Sequence, residues 1–300
     1  MSGGFTPIDL SQLAAPDVVE ALDYETILAE MKADLLVRDP TLTAVELESE
    51  PVSKLLEVCA YRELLIRQRV NDTAKAVMLA YAAGTNLDHL GALFGVERQI
   101  VDPGDPNAIP PTDPVYEDDA RFRQRIQISL EGHSTAGSVG GYTFHALSAD
   151  PDVRDVSVVS PADGEVVVTV LSATGDGVPS AAVQDAVLAA LNVEDVRPLT
   201  DRVTVQAVTI IPYTVEATLK FYAGPDAGVV RQAADDAVVA YVADHYALGH
   251  DITLSGLYAA LHQPGVQKVT LTQPVGDIVV EPHLAARCDT VTVTDGGIDE

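Results

Sequence analysis

The chain has 300 residues, 47% of them hydrophobic, with 18 basic residues against 45 acidic ones for a formal net charge of −27. That charge repels nucleic acid and anionic lipid, which argues against direct nucleic-acid binding; the acidity also follows from host base composition or a saline habitat. No apolar run approaches the ~18–20 residues of a membrane span, and the opening Met-Ser-Gly-Gly-Phe-Thr-Pro lacks the basic and apolar parts of a signal peptide, so no membrane insertion and a place in the producer's cytoplasm are expected.

In chain order, Ile8 to Leu13 with Pro16 reads as an extended arm that needs something to lie against. Asp23 caps a short helix lined by Ile27, Leu28, Met31 and Leu35, which stops near Asp39-Pro40. A long helix is then predicted from Pro51 to Ala83. Ser49 is its N-cap, Glu50 sits on the positive end of the dipole, Pro51 needs no amide there, and Gly84 supplies a left-handed stop. Val52, Leu55, Leu56, Cys59, Ile66, Val70, Ala74, Val77, Met78 and Tyr81 recur at steps of three and four, which makes one apolar face. Lys54, Glu57, Arg62, Arg67, Arg69 and Lys75 form the opposite, solvated one. At 1.5 Å per residue the rod would be roughly 50 Å long, more than a small core needs. Its apolar side chains Leu55, Leu56, Cys59, Ile66, Val70 and Val77 are therefore the candidate interface, with packing inside the same chain as the alternative. Cys59, on that face, reads as a buried free thiol. Asn86 then caps Leu87 to Phe94, with Gly95 as the stop.

Residues 101 to 118 change character, with Pro103, Pro106, Pro110, Pro111 and Pro114 set among aspartates. They read as a linker or a surface loop. A helix resumes at Asp119 through Ile126, its arginines pairing with the acids just before it. Ser134 to Gly141 is small and flexible, and Tyr142 to Ala149 is a brief helix. From Val153 the period becomes two, and Val153 to Val158 and Glu165 to Leu171 form a hairpin around Ala162-Asp163-Gly164. Ser180 to Leu191 is a helix, Arg202 to Val208 and Tyr213 to Tyr222 are strands, and Asp226 to Tyr246 and Leu254 to His262 are helices. Val266 to Leu271 and Thr290 to Val293 are strands. Ala146-Leu147 before Pro151 and Val153 echoes Ala260-Leu261 before Pro264 and Val266, a helix-to-strand junction used twice.

The fold class is therefore α+β, a helical N-terminal third followed by two small α+β sandwich domains. The outline is 1–100 helical arm and bundle region, 101–118 linker or loop, 119–209 first α+β domain, 210–294 second, and 295–300 a flexible tail.

No catalytic constellation stands out. His245 and His250 are spaced for neither one helix face nor a zinc motif, and His89, His133, His145, His262 and His283 stand alone. Ser134 and Ser138 lie outside any strand-turn-helix elbow. Gly175-Asp176-Gly177 before Ser180 reads as a tight strand-to-helix turn, with an anion cradle at the helix start as the alternative. Cys59 and Cys288 are too few and too distant for a disulfide framework or a metal motif. No catalytic residue, cofactor or metal is expected.

Ile8-Asp-Leu-Ser-Gln-Leu13, Ala15-Pro-Asp-Val-Val-Glu20 and Leu47-Glu-Ser-Glu-Pro51 resemble the opening of the baseplate assembly protein J family. So do Ala60-Tyr-Arg-Glu63, Arg67-Gln-Arg-Val-Asn71 and Ala80-Tyr-Ala-Ala-Gly84 with Leu87-Asp88. Phe122-Arg-Gln-Arg-Ile126, Ser134-Thr-Ala-Gly137, Val159-Ser-Pro161, Val196-Arg-Pro-Leu-Thr-Asp201 and Tyr258-Ala-Ala-Leu-His262 continue the likeness from about residue 8 to 294. The resemblance implies a structural subunit, without enzyme activity, in the baseplate wedge of a contractile phage tail or of a phage-derived particle such as a tailocin. It further implies a second copy of the chain and one baseplate I-type protein as wedge partners, a lysozyme-like W-type protein linking wedge to sheath, and contacts with neighbouring wedges around a central hub. A tail-associated hydrolase and a receptor-binding protein are the rival readings. The first lacks a clefted constellation, and the second sits poorly with 5% aromatics and no Trp.

Overall fold

The computed structural model of the protein describes residues 8, 10, 13, 14, 16–134, 136–224 and 226–299. The first seven residues, Asp9, Ser11, Gln12 and Ala15 of the predicted arm, Thr135 of the Ser134–Gly137 stretch, and Glu300 lie outside the described residues. The chain divides into two compact units, the described residues of Thr6–Arg98 with Asp118–Gln127, and Gln99–Glu117 with Ile128–Glu300.

In the helical unit, α1 (Tyr24–Arg38) starts as expected, with the Asp23 carboxylate accepting the Thr26 N–H. It packs on α2 (Pro51–Ala76) through buried Ile27, Leu28 and Ala60, with Tyr24, Met31, Leu56 and Leu64 around them. Glu50, not Ser49, is the N-cap of α2, and its side chain makes no capping bond; Pro51 opens the helix without needing an amide. The 26 residues of α2 make a rod of about 39 Å, shorter than the sequence predicts. The apolar period does run on to Tyr81. The helix nevertheless stops at Ala76, and in the turn that follows the Arg123 guanidinium donates to the carbonyls of Leu79 and Ala82 at 2.7 Å each, so they are satisfied outside a helix.

Gly84, with φ of 54°, is the N-cap of α3 (Thr85–Leu93) and not the end of α2, so Asn86 lies inside α3 rather than capping it. The Gly84 N–H donates to Asp119 at the start of α4 (Asp119–Ile128). Gly91 of α3 is required by close approach, since a Cβ there would sit 2.5 Å from the Phe122 ring. The Arg98 guanidinium covers the same ring at 4.6 Å and pairs with Asp88 and Asp119. Arg123 donates to the carbonyls of Leu79 and Ala82, and Arg125 to that of Glu97. Phe122 and Arg123 thus tie most of α4 to the helical unit, which departs from a domain boundary at 118/119.

Residues 101–118 are not an open linker. β1 (Ile100–Asp102) and β2 (Val115–Tyr116) pair antiparallel, and Asp105 bridges Thr112, so the Pro-rich excursion returns to its start. Nor is 134–141 a flexible stretch throughout. Ser138 caps α5 (Val139–Ala149) and Gly140 and Gly141 are buried in its first turn.

The next elements are β3 (Val153–Val159), β4 (Glu165–Ser172), α6 (Ala181–Leu191) and β5 (Arg202–Ala207). β4 is central, antiparallel to β3 and parallel to β5, and α6 supplies the crossover that a parallel pair needs. Val166, Val168 and Val170 of β4 point one way into a core closed by Tyr142, Ala146 and Leu147 of α5 and Val183, Val187 and Leu191 of α6. Then follow β6 (Thr209–Phe221), α7 (Ala227–Asp244), α8 (Leu254–Leu261), β7 (Val266–Gln273) and β8 (Leu284–Ile298). Here β6 is central, antiparallel to β7 and parallel to β8. Tyr213, Val215, Ala217, Leu219 and Phe221 alternate inward onto Val230, Ala234 and Val238 of α7 and Leu257 and Leu261 of α8.

The two halves thus share a plan. In each, a helix-to-strand junction delivers the antiparallel edge strand, α5 to β3 and α8 to β7, at the two places where the sequence repeats itself. The halves form one unit, joined by buried Leu171, Val208, Leu248 and Ala285. The Asp155 carboxylate accepts the Leu248 N–H at 2.8 Å, and desolvation pushes its pKa up. The segment 295–299 is no loose tail: β8 runs to Ile298, and Asp299 bonds the Phe221 carbonyl and pairs with Lys220.

Candidate assembly surface

Helix α2 turns two different faces to its surroundings. Ser53, Leu56, Ala60, Leu64 and Asn71, at helical spacing, face α1 and the arm. This inner face is small and polar as much as apolar. The Ser53 hydroxyl donates to the Val45 carbonyl at 2.6 Å, and Asn71 brackets Glu20, accepting its N–H at 3.1 Å and donating to its carbonyl at 2.9 Å.

The outer face carries the aliphatic side chains. Leu55 is 68% exposed, Ile66 65%, Val70 56% and Val77 68%. Cys59 lies among them as an exposed free thiol, which corrects its expected burial. Leu56 differs from the other candidates, since it packs beside Ile27, Leu28 and Ala60. Val77 lies one residue beyond the last turn, as the C-cap of α2. The helix face that the 3.6-residue period selects is therefore largely turned outward, while the buried face is the one with the weaker apolar signal.

A second exposed row was missed: Val58 at 61%, Tyr61 at 54% and Leu65 at 43%. Its signal is the same three- and four-residue spacing, one stripe further round. Arg62 and Arg69 fall between the two rows by helical position. On the flank, Lys54 pairs with Glu57, and Arg67 with Glu63 and Glu20. Those carboxylates hold both cations above their ordinary pKa, with the direct hydrogen bond the main cause.

The described side chains of this surface are aliphatic and aromatic groups, arginines and the Cys59 thiol. Elsewhere His245 stacks on Tyr241 at 4.0 Å with His250 at 6.2 Å, and the His245 ring bonds the Tyr241 carbonyl. His262 follows α8 as its C-cap. Among the described residues no group of three or more His, Cys, Asp or Glu is placed to hold a metal ion, and no helix is long and apolar enough to cross a membrane.

Three family descriptions match in order along the chain: the Baseplate J-like N-terminal domain over residues 48–105, the Baseplate J-like central domain over 134–207, and the Baseplate J-like protein C-terminal domain over 213–294. Baseplate protein J of Escherichia phage P2 is 50% identical over 299 residues, covering 98% of this chain and 99% of that one. Among solved structures, the cryo-EM structure of the anti-feeding prophage (AFP) baseplate, 6-fold symmetrised, aligns with a TM-score of 0.38 at 17% identity, covering 59% of this chain and 43% of that one.

Proposed function

The chain belongs to the Baseplate J-like family and is a baseplate structural subunit; from that premise we propose that it builds the wedge of a contractile tail, in a phage or a phage-derived particle. The near-full-length likeness to the P2 baseplate protein carries this reading. In it, two copies join one I-type wedge protein, a lysozyme-like W-type protein links wedge to sheath, and neighbouring wedges meet around the hub. Assembly takes place in the producing cell's cytoplasm, and the mature location is the tail. The role is mechanical: subunit contacts rearrange as the sheath contracts.

Within that reading, the outer face of α2 is the surface through which the wedge forms. Its support is physical: Leu55, Ile66 and Val70 stand in water on a helix whose inner face is already occupied. Leaving such side chains exposed forgoes about 1.5–3 kcal/mol each relative to burial, which association recovers. Mixing the purified chain with its I-type partner gives a stable complex, and persistent monomers of both would overturn the wedge. Val70→Asp blocks that complex; association at unchanged affinity would show that this face is not shared. Alanine at His245, His250 and His262 leaves assembly intact and removes no wall-degrading activity.

A further inference from the structure

The ribbon from Gln99 to Glu117 is firmly braced, yet its apolar side chains are left in solvent. At its base the Glu117 N–H donates to the Gln99 carbonyl and the Gln99 N–H to the Glu117 carboxylate, both at 2.9 Å. The Gln99 side-chain amide also donates to the Ser148 carbonyl of α5 at 2.8 Å. Further out, Asp105 locks the returning strand. Its N–H donates to the Thr112 hydroxyl at 2.7 Å, its carbonyl accepts the Thr112 N–H at 3.0 Å, and its carboxylate accepts the Asn107 N–H at 2.8 Å. Gly104, with φ of 67°, is required there, because a Cβ would sit 2.4 Å from the Thr112 carbonyl oxygen. A two-stranded ribbon alone is marginal in water, and these bonds supply what its few strand residues do not.

What the ribbon holds out is apolar. Ile109 at its tip is fully exposed, and Ile100, Val101, Val115 and Tyr116 are each about half exposed. Contiguous exposed apolar groups of this kind mark contact surfaces. Two features define the contact. Pro103, Pro106, Pro110, Pro111 and Pro114 remove amide donors from the ribbon, so a strand added along its edge finds few partners and recognition falls to side chains. The charge beside those side chains has one sign: Asp102, Asp105 and Asp113 flank the tip, with no Lys, Arg or His between Gln99 and Tyr116. The Asp113 carboxylate has no partner among the described residues. The complementary surface is therefore cationic, and a second copy of this chain, with 45 acidic residues to 18 basic ones, is the poorer match.

We propose that this ribbon is a docking finger, which seats Ile109 in an apolar pocket rimmed by Lys or Arg on a baseplate protein other than this chain. Because the ribbon is already ordered, it loses little conformational freedom on docking. Ile109 anchors the contact, and the aspartates around it fix the orientation. The proposal rests on the chain's being a baseplate subunit and not on which proteins make up the wedge.

The test is a competition between two chains for places in one baseplate. Ile109→Ser is co-expressed with the unmodified chain under a different tag, and their ratio in purified baseplates is measured against their ratio in the soluble pool. The variant's share is expected to fall several-fold, while the purified variant keeps the thermal unfolding of the unmodified chain. An equal share overturns the docking. So does a lowered unfolding midpoint, since the tip would then serve the chain's own fold. Asp113→Lys is expected to lower the share in the same way, and an undiminished share overturns the cationic rim. Benzoylphenylalanine in place of Ile109, irradiated in the assembled baseplate, is expected to form a covalent product with a different protein, at a peptide carrying Lys or Arg beside apolar residues. A product with a second copy of this chain, or no product, overturns the proposal.

Discussion

In the α+β unit the helices and central strands turn aliphatic side chains into two cores: Val168, Val170, Val215, Leu219 and Leu257 are all at 0% exposure. On α2 the order is reversed, with Ser53 and Asn71 inside and Leu55, Ile66 and Val70 outside. Charge divides the same way. The sequence places 7 basic and 27 acidic residues in the α+β unit, against 11 and 18 in the helical one. The α+β unit carries the larger excess of acids, and the helical unit sets Arg62 and Arg69 between two aliphatic rows by helical position. Under the proposed wedge reading, the helical unit is the one completed by neighbours.

The sharpest way to break that contrast is to cut each core. Leu219→Ala removes a fully buried side chain between β6 and α7, and is expected to destabilise by about 2–5 kcal/mol in thermal or urea unfolding. A loss below ~1 kcal/mol would mean that the β6 core is not the closed one that its burial describes. Next comes Asn71→Ala, which leaves the Glu20 N–H and carbonyl without their partner and is expected to cost about 1–3 kcal/mol. Its signature is earlier proteolysis before Asp23, with unfolding of the α+β unit unchanged.

Much of the α+β unit was legible in the sequence. Strands such as β4 and β6 alternate, helices such as α6 carry Val183, Val187 and Leu191 at one spacing, and the local period alone dictates the burial. The helical unit was legible only in part. An apolar row at 3.6 residues says that a face exists but not whose surface covers it, so the sequence leaves both an interface and packing inside the chain open for it. The end of α2 differs for a related reason: the segment after Ala76 is held by Arg123, remote in sequence, which donates to the Leu79 and Ala82 carbonyls, and the local period carries no sign of that partner. The segment 295–299, expected as part of a flexible tail, is held in the sheet by the pairing of Asp295 and Ile298 with β6, a long-range contact that local pattern does not show.

A smaller effect separates the units by pH. The Gly84 N–H above all, and then the Arg98 guanidinium, hold Asp119 below the ordinary carboxylate range. A group with a depressed folded pKa contributes stability above its unfolded value, ~3.9, and loses it as pH falls through the folded value. Acidification below about pH 4 therefore loosens the α3–α4 junction. With the side chain 35% exposed, screening limits the effect to less than about 1 kcal/mol. Asp119→Asn should flatten this part of an acid titration followed by helix circular dichroism, and an unchanged profile would move the acid sensitivity elsewhere.

The smallest expected effect on folding is the one on which the contrast turns. Val70→Asp puts a charge on a helix position that is 56% exposed, where Val and Asp have similar helix propensity and no core contact is lost. Stability of the isolated chain should change by no more than ~0.5 kcal/mol, the range of ordinary surface substitutions. Leu56→Asp is the control, because that side chain packs beside Ile27, Leu28 and Ala60 and its replacement should unfold the helical unit. If Val70→Asp destabilises the lone chain as Leu56→Asp does, the outer face of α2 is core in solution, and the distinction between a self-sufficient unit and one completed by neighbours fails. If stability holds while association is lost, a helix that the chain itself needs on one face has its other face kept for a partner.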